Sequence, residues 1–323
     1  MSVLKLASVR FPVAIGVLAI VVLAGAIHSA NAQDPSVQDR AQLLRDQTLL
    51  QNDPYSEENG VVDGRAAESP NDPDIGEQEI LKRIERYEPF TVSMAAPFYY
   101  TSNVALTRNG EMGDLVVAPA AGVTYSPRFT RTLFGSFTLS RQEFYYDKFS
   151  ALDFGSFDFR AGLFYVLPKL HNLMLRGEYG YNRLTYSNSF NGFFSNHSIF
   201  LGAELPFRIG RAQQFSLGAA ANVSLHAEPS LPGRNEFDIY AGYSVRVTRS
   251  LTLGAVGRIY VRDYRSFDRN DVSEVLALSA NYRITKYFSA GAATTLAWSQ
   301  SSRSVFDYNV ANVGGAVSLS FKF

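Results

Sequence analysis

The sequence has 323 residues, and its 30 basic and 30 acidic side chains leave no formal net charge at pH 7. The chain contains no cysteine, which excludes disulfide bonds, thiolate metal sites and a lipid anchor attached to a cysteine at a cleavage site. We expect no nucleic-acid partner and no cofactor.

Residues 1–32 have the form of a secretory signal peptide. Lys5 and Arg10 precede an uncharged stretch at residues 11–27, and Ala30 and Ala32 supply the small side chains that signal peptidase requires. The sequence therefore predicts export and cleavage after Ala32, with an uncleaved membrane anchor as the alternative.

Residues 33–89 form an acidic segment with 14 acidic and 6 basic residues, whereas residues 90–323 have 16 acidic and 22 basic residues. Apolar residues at roughly helical spacing predict short helices at residues 36–51 and 75–86, joined by a flexible linker. The segment is predicted to be periplasmic, and it either docks against or plugs the following domain, binds a periplasmic partner, or acts as a tether. Short isolated helices are barely stable in water, which favours the tether.

Residues 90–323 show the alternation of a β-strand in segment after segment. At the end of the chain the residues of one parity are apolar, namely Val313, Val317, Leu319, Phe321 and Phe323. The residues of the other parity include Ser318, Ser320 and Lys322. Because successive side chains in a strand point to opposite faces, each segment has one apolar and one polar face.

Charged side chains on the polar face distinguish a membrane barrel from a soluble sandwich, whose packed core would not accommodate them. In a barrel, lipid covers the apolar face and closure removes the edges of the sheet. The charged side chains then lie in a polar lumen. The residues predicted to line this lumen are Arg160, Arg176, Glu178, Glu204, Arg208, Asp238, Arg246, Arg258 and Arg262.

The connections predict an all-β, antiparallel, up-and-down transmembrane β-barrel of 12 strands at residues 90–323. Short turns alternate with longer loops, for example at residues 187–196, 228–235 and 264–271, as in barrels with periplasmic turns and extracellular loops. Pro97 and Pro119 interrupt the first two strands, so a barrel of about ten strands is the alternative.

The last strand, residues 313–323, resembles the C-terminal signal of bacterial outer-membrane proteins, in which apolar residues alternate and the last residue is Phe. This resemblance implies that the barrel assembly machinery recognises Phe321 and Phe323, and that the protein lies in outer-membrane lipid. Residues 99–107 are also similar to the start of uncharacterised outer-membrane barrel proteins, a group that implies no activity.

The charged lumen predicts a pore or transporter for small solutes, because lining charges set the selectivity of a channel. Arg258 and Arg262 lie four apart on one strand and form a basic track that suits anionic solutes. The alternative is a closed structural or interaction barrel with a partner-binding N-terminal segment. Asp158 and Arg160 carry both signs on one strand, which favours internal salt bridges.

His197 and Ser195 are the residues that a surface lipase or esterase would use, because both are predicted to face outward near the outer leaflet. Barrel phospholipases have these residue types in the reverse order, and the sequence specifies no third residue to orient the histidine. His226 is predicted to face the lumen. No histidines lie at metal-ligand spacing, so we expect neither an enzyme nor a metal site.

Overall fold

The computed structural model describes residues 37–51, 88–210, 212–265 and 268–323. The predicted signal peptide, the linker and the predicted helix at residues 75–86 lie outside the described residues. The first predicted helix is confirmed as α1 (Val37–Gln51). Among the described residues, no helix combines the length and hydropathy needed to span a bilayer.

The remainder of the described chain is a single antiparallel sheet. Its strands are β1 (Phe90–Thr101), β2 (Asp114–Val117), β3 (Ala120–Tyr125), β4 (Leu133–Tyr146), β5 (Phe154–Leu167), β6 (Leu173–Tyr186), β7 (Gly192–Ile209), β8 (Gln213–Glu228), β9 (Arg234–Arg246), β10 (Leu251–Tyr264), β11 (Arg269–Arg283), β12 (Phe288–Ser301) and β13 (Tyr308–Lys322). Short 3₁₀ helices lie at Ser150–Leu152, Pro168–Leu170 and Ser304–Phe306.

The sheet closes because β13 pairs with β1 along its length. At the seam, the Phe90 N–H donates to the Phe323 carbonyl at 3.1 Å, and the Phe323 N–H donates to the Phe90 carbonyl at 3.0 Å. Closure satisfies the backbone groups of both edges, which a bilayer requires.

The predicted 12-strand barrel is confirmed, and β2 and β3 are two pieces of the same strand position. β1 passes through Pro97 without interruption, whereas Ala118 and Pro119 separate β2 from β3. The Ala118 N–H still donates to the Pro97 carbonyl at 2.8 Å, and the Pro119 carbonyl accepts from Glu143 N–H at 3.0 Å. The break therefore opens no gap, and the ten-strand alternative is wrong.

The outer surface of the barrel carries the apolar parity of the strands. Large apolar side chains are exposed all round it, among them Met94, Phe98, Val123, Leu139, Leu163, Leu201, Leu217, Ile239, Ile259, Leu276, Leu278, Val313 and Val317. At the periplasmic end, the rings of Phe90 and Tyr125 stack with their centroids 4.7 Å apart, and Phe90 also stacks on Phe323. This apolar band with an aromatic girdle identifies a transmembrane barrel.

The extracellular loops are shorter than predicted because the strands continue beyond the apolar band. β7 begins at Gly192, β9 begins at Arg234 and β11 begins at Arg269, all within segments predicted as loops. In β9 and β11 these extra residues are polar or charged, and in β7 they include two consecutive phenylalanines, Phe193 and Phe194, so no alternation of apolar residues marks them.

Helix α1 lies inside the barrel, in the extracellular half of the lumen. It packs against β11, β12 and β13. Leu43 is buried in a cluster with Leu106, Ala297, Tyr308 and Val310. The helix is thus docked rather than a free tether, because the barrel wall supplies the packing that an isolated short helix lacks.

Candidate functional site

In the lumen, Asp39 of α1 contacts charged residues at the extracellular ends of β9, β10 and β11. Arg234, Arg262 and Arg269 face the Asp39 carboxylate, and we call these three residues the arginine site. The Asp39 residue is 1% exposed, so this ion cluster is shielded from bulk solvent.

Both carboxylate oxygens of Asp39 are engaged. Oδ1 accepts from Arg234 Nη1 at 2.6 Å and lies 3.5 Å from Arg262 Nη1. Oδ2 accepts from the Tyr264 hydroxyl at 2.7 Å and from Arg269 Nη2 at 3.5 Å. Charge-assisted hydrogen bonds of this kind are stronger than bonds between neutral groups.

The electrostatic environment keeps Asp39 ionised. Burial alone would raise the pKa of its carboxyl group, but the positive charges of Arg234, Arg262 and Arg269 outweigh burial and hold the pKa below its ordinary value. The contact with the arginine site therefore persists at neutral pH.

Two further residues, Gln42 and Arg45, hold α1 across the lumen. Gln42 accepts a hydrogen bond from Arg234 and donates one from Nε2 to Glu236 Oε1 at 2.9 Å. On the other side, Arg45 Nη1 lies 3.0 Å from Asp158 Oδ1 on β5. The helix is therefore attached to opposite walls of the barrel by polar contacts.

An apolar face of α1 contributes the remaining packing. Ala41 and Leu44 join a buried cluster that includes Tyr99, Val116 and Phe144 on the wall of the barrel. Within that cluster, the rings of Phe144 and Phe154 stack with centroids 4.5 Å apart. The helix and this aromatic cluster together fill the extracellular half of the lumen on the side of β1 and β4.

The opposite side of the lumen contains a polar cavity of about 180 Å³, which lies between α1 and the wall from β5 to β10. Gln38, Gln42 and Arg45 line the helix side. The charged residues of the wall side are Asp158, Arg160, Arg176, Glu178, Arg234, Glu236, Asp238 and Arg258. A polar space of this size holds several water molecules.

The structure brings five of the predicted lumen residues to this cavity, namely Arg160, Arg176, Glu178, Asp238 and Arg258. Glu204 is buried nearby and accepts a hydrogen bond from Tyr240 at 2.6 Å. Arg262 belongs to the arginine site. Arg208 and Arg246 lie near the periplasmic ends of β7 and β9, away from the cavity.

Aromatic rings hold two of the cavity arginines in place. The guanidinium of Arg176 lies 5.0 Å from the ring centroid of Phe164 and 5.1 Å from that of Phe200, and it also pairs with Glu178 at 2.7 Å. Arg258 lies 4.7 Å from the ring centroid of Tyr240. Such stacking orients an arginine without removing its charge.

Sequence reasoning missed Asp39, Arg234 and Arg269. Both arginines fall within segments predicted as loops. The sequence feature that could have indicated a strand at each position is the alternating segment that follows it. The residues that bind the Asp39 carboxylate lie at least 195 positions further along the chain, and Arg234 is the nearest of them in sequence. No local pattern identifies such a contact.

The outward pair of His197 and Ser195 does not form a nucleophile–base arrangement among the described residues. A hydrogen bond of 2.6 Å joins Nδ1 of His197 to the Tyr179 hydroxyl, and Ser195 is not among its partners. The described residues also contain no group of three or more His, Asp or Glu side chains that could hold a metal ion.

His226 does not face the lumen as predicted. The register between β7 and β8 shifts at His197 and Ser198, which places His226 directly opposite His197. The two rings lie 6.2 Å apart between centroids. The prediction was wrong because a bulge reverses the parity of the residues beyond it.

Solved structures of outer-membrane proteins have a similar fold. The COG4313 outer membrane channel from Pseudomonas putida F1 is 10% identical, with 73% of this chain and 98% of that chain covered and a TM-score of 0.54. The translocator domain of the autotransporter NalP from Neisseria meningitidis is 10% identical, with 91% and 100% covered and a TM-score of 0.49. No family model matches the sequence, and no curated protein is significantly similar to it. The chain therefore has the fold of bacterial outer-membrane β-barrels, in agreement with the predicted location.

Proposed function

We propose that the protein is an outer-membrane channel for small polar solutes whose lumen is closed by its own helix α1. The observation that carries this proposal is the position of α1, which fills part of the lumen beside a charged cavity of about 180 Å³. A barrel whose only task was structural would have no need of a charged cavity at its centre.

The contacts of α1 are suited to reversible closure. The helix is attached through ion pairs and hydrogen bonds to side chains that the barrel wall itself positions, and its sheet partners are all complete without it. Withdrawal of α1 therefore requires no strand of the barrel to separate. It would join the cavity to the space that the helix occupies.

Planar-bilayer recording of the refolded full chain tests this function. We expect the native chain to conduct rarely, and the double variant Asp39→Asn/Arg45→Gln to conduct for a much larger fraction of the time. Both substitutions remove the charges that hold α1; Asn has the size of Asp, and Gln is a shorter, neutral polar replacement for Arg. Absence of conductance steps in both proteins would contradict the channel.

A closed structural barrel is the second candidate, and internal charge pairing favours it. Besides the Arg176–Glu178 pair, Arg258 Nε lies 3.6 Å from Asp238 Oδ2 within the lumen. Paired charges of this kind fill space and hold neighbouring strands together. The same recording separates the two candidates, because a closed barrel conducts in neither form.

A further inference from the structure

We propose that the arginine site is a binding site for small carboxylate-bearing solutes, and that Asp39 occupies it in their place. The inference rests on the channel proposed above, since it names the class of solute that the channel would admit. It follows from three properties of the site, namely its donors, its rigidity and its charge.

The donors around Asp39 all belong to the barrel wall. Arg234 comes from β9, Arg262 and Tyr264 from β10, and Arg269 from β11. Together they direct four donor groups at the two oxygens of one carboxylate. Because all four donors belong to the wall, the complete set remains when α1 withdraws Asp39 and Gln42.

The wall also holds the arginines in position. Arg262 donates from Nε to Glu236 at 2.9 Å and from Nη1 to Ser273 at 2.6 Å. Arg269 donates to Asp271 at 2.9 Å, and its guanidinium lies 4.2 Å from the ring centroid of Tyr264. A site that is already ordered binds its ligand without a large entropic cost.

The charges of the site select an anion. Three guanidinium groups face the two wall carboxylates Glu236 and Asp271, so the wall retains one positive charge that Asp39 neutralises. The Nη1 atom of Arg269 is buried and has no acceptor among the described residues. This unused donor could bind a further oxygen atom of a ligand that has more oxygen atoms than the Asp39 side chain.

Binding of such a solute would compete with Asp39. A ligand carried on the same chain as its site acts at an effective concentration in roughly the millimolar range, so a free carboxylate must approach that concentration to displace it. Arg234 also lines the polar cavity, so a solute in the cavity lies next to the site. Solute binding and release of α1 are therefore coupled.

Calorimetric titration of sodium acetate into the full chain in detergent tests the site, because acetate reproduces the side chain of Asp39. We expect saturable binding to Asp39→Ala at constant ionic strength, and binding at least about tenfold weaker to the native chain, in which Asp39 competes. The matched control is Asp158→Ala, which removes a carboxylate outside the arginine site that accepts from Arg45, Ser156 and Asn182. This variant should bind acetate no more tightly than the native chain does.

A folded Asp39→Ala barrel that shows no saturable acetate binding overturns the proposal, and so does tighter binding of sulfate than of acetate. Asp39→Gly replaces Asp39→Ala if the latter does not fold, and the same outcomes apply. Acetate binding without conductance in any variant would leave the site intact and contradict the channel alone. Conductance of Asp39→Ala without acetate binding would contradict the site alone.

Discussion

Asp39 accepts a 2.6 Å hydrogen bond from Arg234, a residue 195 positions further along the chain. The bond connects the start of the described chain to the extracellular end of β9. Closure of the lumen on that side therefore depends on one carboxylate in a segment that contributes no strand to the barrel.

Replacement of Asp39 by Asn should release α1. Loss of one member of a buried ion pair costs about 3–5 kcal/mol, because the remaining charge is left uncompensated. We therefore expect the open fraction in single-channel records to rise at least about tenfold, and α1 to become accessible to added protease.

The matched comparison is Arg45→Gln, which removes the contact on the opposite wall. The side chains of Arg45 and Asp158 are 23% and 15% exposed, and partly hydrated pairs contribute about 1 kcal/mol or less. The change in open fraction should be clearly smaller than that of Asp39→Asn. An equal or larger change would show that the arginine site is not the main attachment of the helix.

The pH dependence of closure should reflect the lowered pKa of Asp39. Because the docked carboxyl has a pKa below the ordinary 3.8, its contribution is complete above that value and is lost as pH falls through the lowered pKa. The groups that face Asp39 are Arg234, Arg262, Arg269, Tyr264 and Tyr308, with Glu236 and Asp271 behind the arginines.

Conductance measured between about pH 8 and about pH 5 should therefore show no opening step that depends on Asp39. An opening step below the ordinary carboxyl pKa should be present in the native chain and absent from Asp39→Asn, which is already released. An Asp39-dependent step near neutral pH would contradict the assigned direction of the shift.

A covalent link between α1 and the wall should hold the lumen closed. The sequence has no cysteine, so Leu43→Cys and Val310→Cys place two thiols in one apolar cluster on a cysteine-free background. Oxidation should lower the open fraction of a chain that also carries Asp39→Asn, and reduction should restore it. The single-cysteine variants serve as controls, and an oxidised chain that still opens would argue against gating by α1.

The lipid-facing surface gives a test that is independent of the lumen. Ile239 is 60% exposed near the middle of β9, where an arginine facing lipid costs about 2–4 kcal/mol. Ile239→Arg should lower the free energy of unfolding by that amount in urea titrations in lipid vesicles.

Val247 is 53% exposed beside the periplasmic turn, and Val247→Arg there should cost only about 0–1 kcal/mol. Similar losses of unfolding free energy at Ile239 and Val247 would mean that the middle of the bilayer does not lie at the middle of β9.

Much of the barrel could be predicted from the sequence because lipid imposes a strict alternation on every strand. Leu217 and Ile239, for example, each follow a polar residue directly, Ser216 and Asp238, and both are exposed on the outer surface. The apolar parity therefore gave the strand faces and the strand number without knowledge of any long-range contact.

The limits of this alternation also explain which sequence-based predictions were wrong or missing. The bulge at His197 and Ser198 shifts the parity of β8, and a period-two pattern cannot anticipate one extra residue. Arg234 and Arg269 lie on strand ends beyond the lipid, where alternation is no longer imposed. The docking of α1 depends on side chains distant in sequence, so helical spacing predicted the helix but not its position.

The order of the chain has a consequence for biogenesis. Helix α1 precedes the first strand, yet it packs against β11 to β13, and the site that receives Asp39 is assembled only when β9, β10 and β11 are in register. A segment that is synthesised before every strand therefore reaches its final position only after the last strands have paired. Insertion of the helix marks a correctly completed barrel, since a barrel with slipped strands would offer Asp39 no set of converging arginines.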